Sequence, residues 1–210
     1  MSKLVVFENV TLDGVAQAPA RPDEDRRGGF QHGGWGAPYM DAVAARVAGQ
    51  AMSRPGVLLL GRKTYEDFYE IWPKRTDGNP YTEKLNKVQK FVASRTLREP
   101  LPWMNSTLLK GDLPQAVAQL KKQQTGDVGV IGSIRLVHEL ARHNLVDIYV
   151  VQITPLVLGG GLRLFPEGVA NRLRLVDSIT TTTGVIIATY EPVRPAAQAP
   201  PVEAAELALA

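Results

Sequence analysis

The stretch Val57-Leu-Leu-Leu-Gly61-Arg-Lys-Thr64 joins a continuous apolar run to a glycine and then to the start of a helix. A short run that is apolar throughout is typical of a strand buried on both faces. The helix that follows is expected to end before Pro73, because proline does not continue a helix. A buried strand leading directly into a helix is the repeating unit of an α/β fold with a largely parallel sheet.

The same alternation of strand and helix extends in both directions along the chain. Helices are predicted from Pro38 to about Met52, after Gly61, after Asp112 and after Ser133, with the last two residues as N-caps. The predicted strands are Leu4–Phe7, Val57–Leu60, Lys90–Ala93, Thr107–Lys110, Val128–Ile131, Asp147–Thr154 and Gly184–Tyr190. The glycine-rich stretch after the first strand predicts a long loop, and loops of that length are usually functional or mobile.

Length and composition indicate one globular domain with an extension. The chain has 210 residues, of which 44% are hydrophobic and 21% charged, and a typical domain has about 150 residues. The segment from Pro195 is rich in proline and alanine and has little to bury, which predicts disorder. We therefore expect one domain over residues 1–192 and a disordered tail over residues 193–210.

Several classes of protein are excluded by what the sequence lacks. Without cysteine there is no disulfide, thiolate metal site or cysteine nucleophile, and His32, His138 and His143 lack the spacing of metal ligands, so we expect no metal. The net charge of +3 is scattered along the chain, which argues against nucleic acid as a partner. No apolar run is long enough for a membrane helix, and Glu8 interrupts the N-terminal run too early for a secretory signal. A cytoplasmic protein is expected.

Three strand ends carry residues suited to binding phosphate. A helix N-terminus offers free N–H groups and a partial positive charge, and an arginine can pair with phosphate through two hydrogen bonds. The alternative is that Gly61 only turns the chain beside a solvated Arg62, and that Gly132 and Ser133 form an ordinary helix start. The candidate residues are Gly61, Arg62 and Thr64 in the first segment, Ser94 and Arg95 in the second, and Gly132 and Ser133 in the third.

In their order and spacing these segments resemble the dihydrofolate reductase superfamily and, within it, the reductase domain of riboflavin biosynthesis, the C-terminal domain of the bacterial bifunctional deaminase-reductase. The resemblance runs from about Lys3 to about Pro192. It implies a three-layer α/β fold with a mostly parallel central sheet, helices on both faces and an antiparallel C-terminal edge. The matching segments are Asn9–Gly14, Leu60–Glu66, Val92–Arg95, Ile131–Ser133 and Pro155–Phe165.

The resemblance also implies an NADPH-dependent reductase that acts on a small heterocyclic substrate and forms a homodimer. Two arginines near one phosphate favour NADPH over NADH. The zinc deaminase that relatives can carry needs cysteine ligands, so only the reductase half is expected. The residues that would bind NADPH are Gly61, Arg62, Thr64, Ser94, Arg95, Gly132, Ser133, Ile134 and Leu136.

Two carboxylates are candidate proton donors. Asp13 follows the first strand, where the family lines its substrate cleft, and the alternative is a turn aspartate that bonds its own backbone. Folate reductases carry a carboxylate two residues after the proline of a Trp-x-x-Pro segment. Here Met40 occupies that position after Pro38 and Asp41 lies one residue further. This departure argues against dihydrofolate as the natural substrate.

The predicted substrate site contains Gly14 and the aromatic residues Trp35, Tyr39, Tyr65 and Trp103. Their rings would stack on a flat heterocycle, and the alternative is that they belong to the core. The sequence thus predicts a reductase that transfers hydride from NADPH to a C=N or C=O bond of a pterin, an aminouracil or a similar ring. The competing interpretation is a binding module that holds NADPH without turnover, as a regulator or assembly partner.

Overall fold

The computed structural model describes residues 2–54 and 56–194, without the side chains of Met52 and Ser53. The disordered tail predicted from Pro195 lies outside the described residues and stays a prediction. The helices are α1 Ala42–Ser53, α2 Arg62–Ile71, α3 Pro80–Lys87, α4 Leu113–Gln123 and α5 Ile134–Arg142. The strands are β1 Leu4–Thr11, β2 Gly56–Gly61, β3 Lys90–Ala93, β4 Ser106–Leu109, β5 Asp127–Ile131, β6 Ile148–Thr154, β7 Leu173–Thr180 and β8 Ile186–Pro192. Nowhere in these two ranges is a helix long and apolar enough to span a membrane.

The strands form one sheet in the order β4-β3-β2-β5-β1-β6-β8-β7. Pairing is parallel from β4 to β6, and β8 pairs antiparallel with both β6 and β7. Gly61 lies beside Ala93, and Phe7 lies beside Ile131. The carboxyl ends of β1, β2, β3 and β5 therefore meet at one edge of the sheet, as the predicted fold class requires.

Successive leucines of β2 show why the sheet needs helices on both faces. Leu59 belongs to the large core cluster with Val137 and Leu140 of α5, whereas Leu58 and Leu60 belong to a second cluster with α2 and α3. Side chains alternate between the two faces of a strand, and burying one leucine side chain contributes about 1.5–3 kcal/mol. The continuous apolar run is thus explained by a strand covered on both sides, and the predicted three-layer arrangement is confirmed.

The helix predicted from Pro38 begins four residues later than expected, after a separate 3-10 turn. Residues Ala37–Tyr39 form a single 3-10 turn, Met40 is extended and exposed, and α1 begins only at Ala42. The carboxylate of Asp41 accepts a hydrogen bond from the N–H of Ala44 at 2.8 Å. Because an N-cap residue has a non-helical backbone, this bond ends the 3-10 segment and starts a new helix.

Two further elements, α3 and β7, escaped prediction. Strand β7 is an exposed edge strand with a bulge between Leu175 and Asp177, so it lacks the alternation of apolar and polar residues that marks a half-buried strand.

Helix α3 is stabilised by a residue that follows it in the chain. The buried Lys90 of β3 donates from Nζ to the carbonyls of Leu85, Asn86 and Val88 at 2.8–3.1 Å. A lysine that satisfies the last carbonyls of a helix stabilises its C-terminus.

Candidate functional site

A cleft of about 1280 Å³ opens where the carboxyl ends of β2, β3 and β5 meet the middle of β1. Ligands of open α/β sheets bind outside the carboxyl ends of the strands. Pockets for small molecules usually enclose about 300–1,000 Å³, so this cleft has room for a larger ligand or for two ligands side by side. Loop residues 16–27 and one face of α2 form its other wall.

All the predicted cofactor-binding residues line this one cleft. They come from three separate parts of the chain, and the parallel sheet brings them together because β2, β3 and β5 end at the same edge. These residues are Gly61, Arg62, Thr64, Ser94, Arg95, Gly132, Ser133, Ile134 and Leu136.

The loops after β2 and β5 are tied to each other. The hydroxyl of Ser133 accepts a hydrogen bond from the N–H of Gly61 at 2.9 Å. Gly132 and Ser133 both have left-handed backbone, with φ of 59° and 65°. A Cβ atom on Gly132 would lie 3.3 Å from Cγ2 of Thr64, so the two loops are in close contact. The prediction that Ser133 caps α5 with its side chain is therefore wrong, since the hydroxyl is used across the cleft edge.

The N-termini of α2, α4 and α5 all lie at the cleft. Asp112 is the N-cap residue of α4, as predicted, but in the described part of the chain none of the N-cap residues Gly61, Asp112 and Ser133 makes a side-chain cap bond. The first turns of these helices contain no acidic residue. Each helix N-terminus carries a partial positive charge and N–H groups that need acceptors. The cleft edge is therefore favourable to an anion.

Two guanidinium groups add full positive charge to this edge. Arg62 is partly exposed and donates to the carboxylate of Glu66 at 3.2–3.3 Å. Arg95 is exposed, and none of the residues in 2–54 and 56–194 pairs with it. The hydroxyl of Ser94 accepts the N–H groups of Thr96 and Leu97 at 3.1 and 3.0 Å, which fixes the turn that presents Arg95.

The two carboxylates predicted to be catalytic lie away from the cleft lining and fasten the chain instead. Asp13 accepts hydrogen bonds from the hydroxyl of Thr11 at 2.5 Å and from the N–H groups of Leu158 and Gly159 at 3.2 and 2.8 Å. These bonds, that of Thr11 first, lower the pKa of Asp13. The carboxylate of Asp13 therefore holds the loop after β6 against the end of β1, beside the turn at Gly14.

Asp41 has a similar structural role beside the turn between β7 and β8. Besides the N–H of Ala44, its carboxylate accepts the N–H of Thr182 at 2.7 Å and the hydroxyl of Thr182 at 2.6 Å. The pKa of Asp41 is lowered, first by the bond from Ala44. A carboxylate held ionised by these donors starts α1 and anchors the turn between β7 and β8, so we correct its assignment as well.

The predicted substrate-stacking rings also pack into the protein. Tyr65 and Trp103 are 1% and 2% exposed and lie together in the second core cluster, where the N–H of Trp103 donates to the hydroxyl of Tyr65 at 3.0 Å. Trp35 is buried, and its indole N–H donates to the carbonyl of Gln17 at 2.7 Å. Tyr39 packs against the cluster that joins α1 to β8. We assign these rings to the core, which was the alternative interpretation.

Glu8 is the cleft residue that sequence reasoning missed. It lies on β1, lines the cleft and is only 4% exposed. Its Oε1 has no hydrogen-bond partner among the described residues. Burial, and then the nearby charge of Glu24, raise the pKa of Glu8 well above its usual range. The sequence did contain a signal for this residue. Glu8 directly follows the apolar run Leu4–Phe7, and an acid is unusual in a buried strand because burying an unpaired carboxyl group is unfavourable.

The neighbouring Glu24 belongs to the loop that covers this end of the cleft. Its carboxylate accepts the N–H groups of Ala20 and Arg21 at 2.7 and 3.2 Å. Burial raises the pKa of Glu24. The guanidinium of Arg21 is turned toward Asp67, to which it donates at 2.5 Å. This end of the cleft thus gathers carboxyl groups, and two of its cations, Arg21 and Arg27, are paired with Asp67 and Asp25.

The fold and the cleft define a three-layer α/β protein with a candidate ligand site at the carboxyl edge of its sheet. The chain belongs to the RibD C-terminal domain family, whose model matches residues 2–187. It is 32% identical over 143 residues to Uncharacterized protein YyaP of Bacillus subtilis, covering 63% of this chain and 72% of that protein. Its identity to Uncharacterized protein YwjB of the same organism is 26% over 110 residues, or 52% and 58% of the two chains.

Solved structures share this fold. A putative riboflavin biosynthesis protein from Shewanella sp. PV-4 has a TM-score of 0.64 at 21% identity and covers 91% of this chain and 99% of its own. A pyrimidine reductase-like protein from Corynebacterium diphtheriae has a TM-score of 0.63 at 11% identity, with 92% and 93% covered. A diaminohydroxyphosphoribosylaminopyrimidine deaminase/5-amino-6-(5-phosphoribosylamino)uracil reductase from Thermotoga maritima has a TM-score of 0.59 at 15% identity, with 91% and 57% covered.

Proposed function

We propose that the protein is an NADPH-dependent reductase that transfers hydride to a C=N or C=O bond of a small heterocycle. The observation that carries the proposal is the convergence of the predicted cofactor residues with three uncapped helix N-termini at one cleft. Family membership supports it, as does the reductase named in the Thermotoga maritima structure. The proposed substrates are pterins, aminouracils and related rings.

The donor groups at the cleft edge fit the phosphates of a dinucleotide. The first N–H groups of α2 and α5, together with the hydroxyl of Thr64, suit the diphosphate. The free guanidinium of Arg95 suits a further phosphate on the ribose, which distinguishes NADPH from NADH. Bound there, NADPH would supply the hydride. The protein's own part is to hold the phosphates, orient the ligands and limit water in the cleft.

Cofactor choice is tested by titrating NADPH and NADH and following their fluorescence. For the variant Arg95→Ala, NADPH affinity is expected to fall about 10- to 100-fold, since a hydrogen bond between charged groups contributes about 1.5–3 kcal/mol. NADH affinity should change by less than about threefold. Arg98→Ala is the matched control, because Arg98 is exposed in the same loop and lies outside the cleft lining.

The outcomes separate the parts of this proposal. Equal losses of NADPH and NADH affinity in Arg95→Ala would contradict the assignment of Arg95 to the ribose phosphate. Wild-type protein that binds neither nucleotide would overturn the function. Tight binding of NADPH without its oxidation by 7,8-dihydropterin, flavin mononucleotide or 5-amino-6-(5-phosphoribosylamino)uracil would instead support the non-catalytic binding module.

We further propose that the protein forms a homodimer. Strand β7 is an edge strand, and its Leu175 and Val176 are about half exposed. Exposed edge strands with apolar side chains are prone to pair with another chain. Sedimentation of the wild type and of Val176→Lys tests this. A wild type that sediments as a monomer contradicts it.

A further inference from the structure

Glu8 stands at the centre of the cleft edge. Phe7 pairs with Ile131 of β5, the residue directly before Gly132 and Ser133, and Glu8 is one residue further along β1. On its other side Glu8 is level with Val151 of β6. It is therefore on the middle strand, next to the loop that the proposed cofactor site uses, and it faces the cleft.

The surroundings of Glu8 favour its neutral form. The charged group that acts on it most directly is the acid Glu24, which disfavours a second negative charge. Two cations of the covering loop are engaged by other acids, Arg21 by Asp67 and Arg27 by Asp25, and the third, Arg26, is exposed to solvent. With Oε1 unpartnered in the described residues and 4% of the side chain exposed, neither solvent nor a cation stabilises a carboxylate here.

Packing gives no reason for a carboxyl group at this position. A buried polar group without a partner costs about 1–3 kcal/mol, whereas an apolar residue would suit the middle strand. Residues that break the local rules of folding without a structural gain concentrate at functional sites. Asp13 and Asp41 accept hydrogen bonds from several donors, while Oε1 of Glu8 accepts none in the described residues and Glu8 lines the cleft.

We propose that Glu8, in its protonated form, is the proton donor of the reaction. The inference rests on the proposed function. The carbon of the substrate's C=N or C=O bond takes hydride from a reduced nicotinamide. The π electron pair moves to the nitrogen or oxygen, which forms a bond to the proton as the O–H bond of Glu8 breaks. The products are the C–H/N–H or C–H/O–H compound, the oxidised nicotinamide and the carboxylate of Glu8.

Glu24 has a distinct part in restoring the acid. Once Glu8 has given up its proton, a carboxylate stands buried beside a second acid. Repulsion between like charges and the loss of solvation both favour return of a proton from water in the cleft. Glu24 acts here through Glu8 and is a positioning residue, so the variant Glu24→Gln should shift the pH dependence of the rate and leave hydride transfer at low pH intact.

A neutral carboxyl group also selects the substrate. It presents one O–H donor and one carbonyl acceptor side by side. This pair complements a ring edge on which the accepting nitrogen or oxygen is next to an N–H group, as in an amidine or a lactam. The substrate is therefore expected to bind as an uncharged ring with such an edge turned toward β1.

The test compares wild type with Glu8→Gln, which keeps size and shape and removes the acid proton. Glu83→Gln is the control, as Glu83 is an exposed acid on α3 outside the cleft. Single-turnover oxidation of bound NADPH is measured with 7,8-dihydropterin, flavin mononucleotide and 5-amino-6-(5-phosphoribosylamino)uracil. Glu8→Gln should bind NADPH as wild type does and react about 100-fold or more slowly, because general acid catalysis contributes about 10²- to 10⁴-fold. The wild-type rate should fall as pH rises, and the variant's should not.

A second readout needs no substrate. With glutamate labelled by ¹³C, infrared difference spectra between wild type and Glu8→Gln should show a protonated carboxyl band at pH 7 that belongs to Glu8. Glu8→Asp, which keeps the acid one methylene shorter, should retain this band and part of the rate. Circular dichroism checks that each variant is folded.

The outcomes test the role of Glu8 and the proposed function separately. A Glu8 that is ionised at pH 7, or a Glu8→Gln rate equal to that of wild type, overturns the role of Glu8 and leaves the reductase in place. Failure of wild type to bind NADPH, or to oxidise it with any of the three acceptors, overturns the proposed function and the role of Glu8 with it.

Discussion

The two ends of the cleft differ in their charged groups. At the end formed by β2, β3 and β5, Arg95 has no carboxylate partner in the described residues, and three helix N-termini point their N–H groups at the opening. At the end formed by β1 and the loop of residues 16–27, Arg21 is bound by Asp67, and Glu8 and Glu24 lie close together. We call these the cationic end and the acidic end.

The difference shows how one cleft serves two tasks. The cationic end has donors fixed before any ligand arrives, which lowers the cost of binding a phosphate. At the acidic end Glu8 is buried beside Glu24, which favours a proton on the carboxyl group of Glu8. A cation close to Glu8 would favour its ionised form.

The largest effect is expected from breaking the cationic end with Gly132→Val. The backbone of Gly132 has φ of 59°, and an added Cβ would lie 3.3 Å from Thr64. A left-handed conformation costs a non-glycine residue about 1–2 kcal/mol, and a β-branched side chain more. We expect stability to fall by about 2 kcal/mol and NADPH affinity by about 100-fold, measured by urea unfolding and fluorescence titration.

The matched control for this change is Gly168→Val. Gly168 has a similar φ of 77° and open space around it, and it lies outside the cleft lining. This variant should lose stability and keep its affinity for NADPH. If Gly132→Val also keeps that affinity, the loop after β5 is not part of the cofactor site.

The sequence predicts the cationic end of the cleft better than the acidic end, because the cationic end is built from residues that are close together in the sequence. At the cationic end, each strand end is adjacent in sequence to its helix start, and a parallel sheet aligns such junctions automatically. Local motifs such as Gly61-Arg62 and Gly132-Ser133 were therefore sufficient to place its residues. The alternation of strands and helices was local in the same way, which is why the fold class was predicted and the exposed edge strand β7 was not.

The acidic end depends on burial, which a local pattern does not contain. Glu8 becomes an unpartnered acid only when the folded chain buries it beside Glu24 of the loop. Likewise Tyr65 and Trp103 look like stacking rings until α2 and α3 bury them against each other. Asp13 is held by the N–H of Gly159, a residue 146 positions along the chain.

The pH dependence of stability tests the acidic end through Glu8→Gln. A glutamate ionises near pH 4.3 in the unfolded chain, and the folded protein holds the proton to higher pH. Between these two pKa values the folded state binds more protons, so wild-type stability falls as pH rises. The variant lacks this dependence. Its stability relative to wild type should grow with pH, by at most about 1.4 kcal/mol per pH unit, and level off above the folded pKa.

Urea unfolding of both proteins at pH 4, 5, 6, 7 and 8 measures this difference. Glu83→Gln, which removes an exposed acid, should run parallel to wild type. A difference between Glu8→Gln and wild type that is constant across the range would show that Glu8 ionises in the folded protein as it does in the unfolded chain.

For Asp13→Asn, the difference in stability from wild type is expected to change with pH in the opposite direction. The hydrogen bonds to Asp13 lower its pKa, so its contribution to stability is present above the unfolded pKa of about 3.9 and is lost as pH falls through the folded value. The variant should lose on the order of 1 kcal/mol at pH 7, a moderate value because the carboxylate is partly exposed. The loss should shrink toward pH 3, and NADPH affinity should stay unchanged. A loss of NADPH affinity in this variant would return Asp13 to the site.

The smallest effect is expected at the bond that ties the two loops of the cationic end. Ser133→Ala removes the acceptor of the Gly61 N–H and should lower stability by about 0.5–1.5 kcal/mol and NADPH affinity a few-fold. Ser133→Gly removes the same hydroxyl and also relieves the left-handed backbone at φ of 65°. The glycine variant should therefore be the more stable of the two, while its NADPH affinity should fall at least as far as that of the alanine variant. If affinity instead follows stability, the hydroxyl of Ser133 matters for folding alone, and the cationic end is ordered by its backbone.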